Sequence, residues 1–297
     1  MEPFWPRRSP HFLACRRAVR PFDGPAVIGL SGGADSLALV AAAAAEGKDI
    51  QAVVIDHGLQ DGSAEVAQRA AAAARALGVP ATVVAVEVAA GNLEAEARRA
   101  RYAALREFGV DVWVAHTADD QAETFLLGAL RGNPSGMTAR SGDIVRPFLS
   151  VRRRDTVGAC EELGLTWWDD PMNEDSAFRR VAVRTQVIPL LSDLVGGDCV
   201  PALAHTADRV AGGNELVGAL ATTEIASCAE LAAQPAVVRR TRIHAWLQGE
   251  GITANRGQLD AIEQLVTNWR GQVGVDVAGG KRVVRQGGGL SLVSSER

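Results

Sequence analysis

Ser31-Gly32-Gly33-Ala34-Asp35-Ser36 places two glycines, two hydroxyls and a carboxylate in six consecutive positions. An apolar run (26–30) precedes it and an alanine-rich, helix-forming run (36–47) follows. A turn from a buried strand into a helix points free backbone N–H groups at one spot, and the helix dipole adds partial positive charge there. Gly32 and Gly33 let an anion approach the main chain, and Ser31 and Ser36 add hydroxyl donors, so the loop suits a pyrophosphate. It lacks the Gly-Lys-Ser/Thr ending of a Walker A loop and does not read GxGxxG. Asp35 would repel phosphate unless Mg²⁺ offset the charge, which makes it a candidate metal ligand beside a triphosphate. On these residues alone, a Gly-Gly turn with a helix-capping aspartate is the alternative.

A second set follows the same logic. Asp120 and Glu123 are three apart at the start of a helix-like run (118–132), so they share one helix face. Two carboxylates there can complete a magnesium shell or take a proton from a nucleophile, and they can equally be partners of the helix dipole. His116 stands just before them, a candidate contact to phosphate or to a nucleoside. Asp56 and His57 end another apolar run (50–58). Glu94, Arg98 and Arg101 lie on nearby turns of a third helix-like run (92–109), where internal Glu–Arg pairs on a solvated face are the alternative. Arginines cluster at 152–154, 179–184, 239–242 and 282–285, and any such cluster is either a phosphate-binding patch or an ordinary helix face.

The elements that must position these residues alternate. Strand-like runs at 26–30, 50–58, 81–88, 110–117 and 143–149 are separated by helix-like runs at 36–47, 63–77, 92–109 and 118–132. Ser63, Asn92 and Ser150 stand where caps are expected, and Pro189 must break or kink the helix at 181–194. The alternation predicts right-handed βαβ crossovers and an α/β fold: a parallel five-stranded sheet with helices on both faces. From about residue 200 the period is helical until a Gly-rich tail (273–293) that reads as short strands. The expected division is an N-terminal extension (1–24), a catalytic domain (25–200), a linker (201–215) and a smaller, mainly helical C-terminal domain (216–297). The 297 residues carry a net charge of −4, and the four cysteines (Cys15, Cys160, Cys199 and Cys228) form no CxxC pair. That spacing argues against zinc, an iron–sulfur cluster or a disulfide framework and suits the reducing cytosol. No apolar run reads as a signal peptide or a bilayer span, so no membrane partner is expected.

The Ser-Gly-Gly-x-Asp-Ser turn resembles the PP-loop of the N-type ATP pyrophosphatases, which cleave ATP between the α and β phosphates and adenylate an oxygen of the substrate. "VIDHGLQ" (54–60), "GNLEAEARRARY" (91–102), "AHTADDQAETFLLGALRG" (115–132), "RPFL" (146–149) and "DDPMNEDSAFRRVAVRTQVIPLL" (169–191) together resemble the tRNA(Ile)-lysidine synthase family, in that family's order and spacing. The resemblance is close over residues 25–195. It implies the PP-loop ATPase fold (adenine nucleotide alpha hydrolase-like), with a tRNA-binding C-terminal domain. It also implies ATP and Mg²⁺ as cofactors, and free lysine and a tRNA(Ile) with a CAU anticodon as partners. The sequence does not set the oligomeric state, and a homodimer is one expectation. Asp35, Asp120 and Glu123 would be catalytic, with Asp35 and Asp120 on the metal. Ser31, Gly32, Gly33, Ala34, Asp35, Ser36, Asp56, His57 and His116 would bind ATP. Arg98, Arg101, Arg131, Arg152, Arg153, Arg179, Arg180 and Arg184 would contact tRNA. Two departures bear on the RNA contacts: an Arg-Asn-Arg run of the family is replaced by residues 179–184, and "LRGNPSGM" replaces the usual "LRGSG". Other PP-loop readings are a tRNA 2-thiolase, which needs cysteines that this chain does not pair, and a non-catalytic adenine-nucleotide sensor, which would not need three carboxylates at one phosphate site.

Overall fold

The computed structural model describes residues 5–6, 8–58, 62–88, 93–169, 179–220 and 227–295. The chain divides into two compact units, Met1–Ala211 and Gly212–Arg297. In the first, the elements run α1 (Pro10–Val19), β1 (Ala26–Gly29), α2 (Ala34–Ala45), β2 (Ile50–Asp56), α3 (Ser63–Ala76), β3 (Ala81–Ala85), α4 (Leu93–Arg106), β4 (Asp111–Trp113), α5 (Ala118–Leu130), β5 (Arg140–Ser141), β6 (Ile144–Val145), α6 (Arg153–Glu162), α7 (Arg179–Ala182) and α8 (Ile188–Val195). The next helix, α9 (Val200–Leu220), crosses the division, so residues 201–215, expected as a linker, are helical.

The strand order is β3-β2-β1-β4-β6-β5, parallel throughout except for β5. The sheet therefore has six strands rather than the expected five. The extra one is a two-residue strand pairing antiparallel with β6, too short to leave a periodic signal. β1 is buried from Ala26 to Ile28, and these residues alternate between two cores. Ala26 and Ile28 face a core built with α1, α2, α3 and α6, whereas Val27 faces Leu105 and its neighbours on α4. The chain order reverses between β1 and β4. Loops leaving the C-terminal ends of two such strands diverge to opposite faces and open a crevice, the usual ligand site of open α/β sheets.

Three local expectations are corrected. Ser63 is not the cap of α3: Gly62 is, at φ 81°, a conformation that glycine reaches without strain. Ser150 does not cap α6. That helix begins after Arg152, and the Asp119 carboxylate accepts the Arg153 N–H at 2.7 Å instead. Pro189, in the first turn of α8, does not end the helical path, which runs into it through a wider π-type turn at residues 183–187. The expected cap Asn92 and residues 170–178 lie outside the described residues.

The second unit contains α10 (Cys228–Ala233), α11 (Ala236–Gly249), α12 (Arg256–Thr267) and an antiparallel sheet of β7 (Val275–Val277), β8 (Lys281–Gln286) and β9 (Gly289–Ser294). Its own core includes Leu231, Ile243, Leu247, Ile262, Leu265 and Val283. Among the described residues no single helix is long and apolar enough to cross a membrane.

Candidate active site

The loop after β1 makes the expected glycine turn, but of its two glycines only Gly32 takes a positive φ, and the Ser36 hydroxyl, expected as a donor to the ligand, is used inside the turn. Gly32 sits at φ 89°, and a side chain there would press on Ala70 at 3.3 Å. Ser36 Oγ donates to the Gly33 carbonyl at 3.0 Å and accepts the Ser31 N–H at 3.2 Å. These bonds close the turn while the exposed Ser31 hydroxyl lies at its mouth. Gly33 caps α2 without a side-chain acceptor, so the first N–H groups of α2 remain available to an anion.

α5 begins across the crevice. Thr117 and Asp120 form a capping box: Asp120 Oδ2 accepts from Thr117 N and Oγ1, both at 2.8 Å. The alternative reading of Asp120 as a helix-start partner is thus part of its environment, and its other oxygen faces the crevice. Arg153, the first residue of α6, enters here. Its guanidinium lies 3.5 Å from Asp35, 2.7 Å from Asp120 and 3.1 Å from Glu123. Glu123 is fully buried and also takes Arg184 at 2.8 Å. Three carboxylates from two strand-following helices thus converge on one guanidinium, with a second arginine behind.

The electrostatics separate the two aspartates. Burial pushes Asp35 above its ordinary value, against the pull of Arg153 and the Thr156 hydroxyl. Burial acts the same way on Asp120, yet Arg153 and the two Thr117 donors outweigh it and hold that carboxyl below its ordinary value. Arg153 is raised in turn, because Asp120, Glu123 and Asp35 outweigh its burial. His116 falls to about 4 through burial, with Arg146, Arg98 and Arg180 adding to the effect against Asp120. It is neutral at pH 7, and its Nδ1 has no partner among the described residues. His57, at the end of β2, is lowered by burial and by Arg101, and neither ring nitrogen has a partner among the described residues.

The expected arginines divide. Arg153 is inside the carboxylate cluster rather than on an open phosphate-binding face. Arg152 is bidentate to Asp119 at 3.1 Å and also reaches Asp198. Of residues 152–154, Arg154 alone is largely exposed. Arg180 donates to Thr124 at 3.2 Å. Arg98 stacks on Tyr102 at 5.0 Å, and Arg98 and Arg101 are exposed and influence His116 and His57 respectively. Arg179 is exposed at the start of α7. Arg131 ends α5, about 16 Å along the axis from Asp120, and is not gathered with the rest. In the second unit, Arg239 and Arg240 both pair with the buried Glu263, which makes that cluster structural.

Two residues absent from the sequence-based set matter here. Asp119 ties the starts of α5 and α6 together through Arg152 and the Arg153 N–H. Thr156 Oγ1 contacts Asp35 Oδ1. The adjacent Asp119-Asp120 pair was the visible hint, since neighbours on a helix point to different partners. Further along α6, Cys160 Sγ lies 3.4 Å from the Ala34 carbonyl, so one helix contacts both Ala34 and Asp35.

α6 is in turn held by α1. Glu162 accepts the N–H groups of His11 and Phe12 at 3.2 and 2.8 Å, and His11 Nδ1 lies 2.8 Å from Asp155. The approach requires glycine at 158, where a Cβ would come within 2.6 Å of the His11 ring. Gly158→Ala is expected to destabilise the protein by about 1–2 kcal/mol, overpacking outweighing the helix-propensity gain. Urea unfolding checks this, and an unchanged midpoint would mean that α1 is free to shift.

Residues 17–191 match the PP-loop domain model, and residues 227–291 match the TilS substrate binding domain model. The chain is 55% identical over 293 residues to the tRNA(Ile)-lysidine synthase of Corynebacterium diphtheriae, covering 98% of this chain and 100% of that one. It is 51% identical over 302 residues to the enzyme of the same name from Corynebacterium glutamicum, covering 97% and 96%. For that of Mycobacterium tuberculosis the identity is 45% over 280 residues, 86% of each chain. Among solved structures, the U34-tRNA thiolase NcsA from Methanococcus maripaludis aligns with a TM-score of 0.55 at 14% identity, covering 69% of this chain and 79% of that one, a likeness of fold alone. With both domain models matched and relatives this similar over nearly its whole length, the chain belongs to the tRNA(Ile)-lysidine synthase family.

Proposed function

We propose that the chain ligates lysine to C2 of the wobble cytidine in a tRNA(Ile) with a CAU anticodon, through a cytidine adenylated on its C2 oxygen, releasing pyrophosphate and then AMP. Family membership carries the ligase activity and lysidine formation. The observation that supports the chemistry is the anion-binding loop, which carries Asp35, set against Asp120 and Glu123 of α5, with Arg153 joining all three carboxylates. In the first step the cytidine C2 oxygen attacks the α-phosphorus of ATP, and the bond to the β-phosphate oxygen breaks. In the second, the lysine side-chain amine forms a bond to C2, and the C–O bond breaks with its electrons leaving on AMP. A ring carbonyl oxygen leaves poorly and AMP leaves well, which is what the ATP accomplishes. The cytidine must leave its stack, and a single-stranded anticodon loop makes that inexpensive.

Ser31 and the N–H groups at the start of α2 hold the phosphates, and Ser36 acts through the turn that it closes. Asp56, His57 and His116 line the same sheet edge, beside the nucleoside. The donors suit Mg²⁺, which favours one or two carboxylates plus substrate phosphates over an all-protein cage. Among the described residues Asp35 Oδ2 faces Arg153 alone, at 3.5 Å, and is the more available ligand; Asp120 Oδ1 becomes one if Arg153 turns toward phosphate. Bound there, the ion would neutralise phosphate charge. Lysine's amine has a solution pKa of about 10.4 and must lose a proton before attack. Asp120 or Glu123 takes it, and Asp120, held ionised, also attracts the ammonium group. Arg98, Arg101, Arg179, Arg180 and the exposed Arg154 offer phosphate contacts to the tRNA, and we place the reaction in the cytoplasm with that substrate.

The thiolase alternative needs a reactive thiol. All four cysteines are buried, and burial raises Cys15, Cys228 and Cys160, the last to about 12, so these three stay protonated and unreactive. The variant with all four changed to serine is expected to keep activity, and product should form with lysine but not with glutamine, ammonium or sulfide. A folded but inactive cysteine-free variant, or a thiolated nucleoside in the tRNA digest, would overturn the lysine reading.

A further inference from the structure

The large apolar side chains exposed among the described residues are all aliphatic except one: Trp269, 39% exposed, just beyond the end of α12. An indole left in water needs a reason, and its setting offers one. Arg285 on β8 donates to the Leu265 and Val266 carbonyls at 3.0 and 3.2 Å, anchoring it to the negative end of α12. From there its guanidinium lies 5.7 Å from the centre of the Trp269 ring. The turn carrying the indole is itself fixed. Arg270 N donates to Gln272 at 2.8 Å, and Gln272 Nε2 donates to the Asn268 carbonyl at 2.8 Å. Among the described residues neither Arg270 nor Arg285 pairs with a carboxylate, in contrast to Arg239, Arg240 and Arg282. A partly exposed indole backed by one guanidinium, with a second arginine free of carboxylates next to it in the chain, matches a surface that stacks an unpaired base and attracts its phosphates.

We propose that Trp269 is a stacking platform for an unpaired base of the tRNA substrate, with Arg285 backing the ring and Arg270 beside it on the backbone. This rests on the reading that the chain acts on tRNA, and it names the residues by which the C-terminal unit would grip it. A clip that only stabilises the end of α12, or a contact with a second copy of the chain, would leave an indole equally exposed, and binding measurements separate the three.

The test measures binding of an unmodified tRNA(Ile) transcript with a CAU anticodon to the full chain across a salt series. Trp269→Ala is expected to weaken binding roughly 5- to 100-fold with the salt slope unchanged, because stacking releases no counterions. Trp269→Phe should retain most of the affinity, and Trp269→Leu should not. Arg270→Ala should reduce the salt slope by about one. In lysidine formation the loss in Trp269→Ala should appear as a raised KM for tRNA, by about the factor seen in binding. A blunt RNA duplex should bind wild type and Trp269→Ala alike. Wild-type tRNA affinity in Trp269→Ala would overturn the proposal, whether its melting temperature falls, marking a structural clip, or its oligomeric state changes, marking a contact between copies. Full rescue by leucine would also overturn it. Failure of the wild-type chain to bind the transcript at all would instead count against the tRNA reading itself.

Discussion

Asp35→Asn is expected to lower pyrophosphate release from ATP by at least about 10³-fold in the presence of tRNA and magnesium, while leaving the chain as stable as wild type or more so at neutral pH. The carboxylate is the one beside the phosphate loop with an oxygen nearly free for a metal, and the amide keeps its shape without its charge. The stability follows from the sign of its shift. Asp35 is raised in the folded protein, so the folded state holds its proton more tightly than the unfolded one. Ionised Asp35 therefore costs stability, and that cost develops as pH rises through the interval above its ordinary 3.8. Below that interval wild type and variant should converge. Asp120→Asn should be equally inactive with the opposite stability. Asp120 is lowered in the folded state, so its contribution is present at neutral pH and lost as pH falls through the folded value. Removing it leaves Arg153 and the α5 cap short of a partner, at a cost of about 1–3 kcal/mol. Thermal unfolding against pH, beside a pyrophosphate assay, reads both. Near-wild-type pyrophosphate release in either variant would detach that carboxylate from the phosphate chemistry.

Arg153→Ala should lose both stability and activity. Without it, Arg184 on Glu123 is the one cation left to the three carboxylates among the described residues, Asp35 and Asp120 keep only the neutral donors of Thr156 and Thr117, and two of the three are buried. Removing one partner of a buried ionic cluster costs about 3–5 kcal/mol, a fall of roughly 10 °C in melting temperature for a unit of this size. Arg153→Lys should recover part of this, since a single ammonium cannot reach three carboxylates as a planar guanidinium does. Adding Asp35→Asn to Arg153→Ala should restore some stability, because one of the repelling charges is gone. Urea denaturation of the four proteins forms a double-mutant cycle, and strict additivity would mean that the two side chains do not interact.

Arg153 also marks where the sequence stops being legible. The phosphate loop and the Asp120–Glu123 face could be read directly because each is local: a strand, a turn and the first turns of a helix, all within a dozen residues. The middle arginine of three in a row looks like surface charge. Only the start of α6, fixed by Asp119 rather than Ser150, turns Arg153 inward and leaves Arg154 outside. Glu263 likewise neutralises Arg239 and Arg240 from another helix, where the sequence shows only an arginine cluster. Such pairings depend on tertiary placement and leave no period in the sequence. The sheet was legible where an apolar run stands between two helix-like runs, as at β1, β2 and β3. It was not at β5, two exposed residues whose partner is set by a tight return from β6.

The most direct test of the chemistry uses a tRNA(Ile) transcript with oxygen-18 at C2 of the wobble cytidine, incubated with the protein, ATP, magnesium and lysine. Adenylation of that oxygen followed by attack of the lysine amine predicts a nucleoside equal to cytidine plus lysine minus one water, with the heavy oxygen recovered in AMP. Heavy oxygen retained in the tRNA, or recovered in pyrophosphate, would contradict the mechanism.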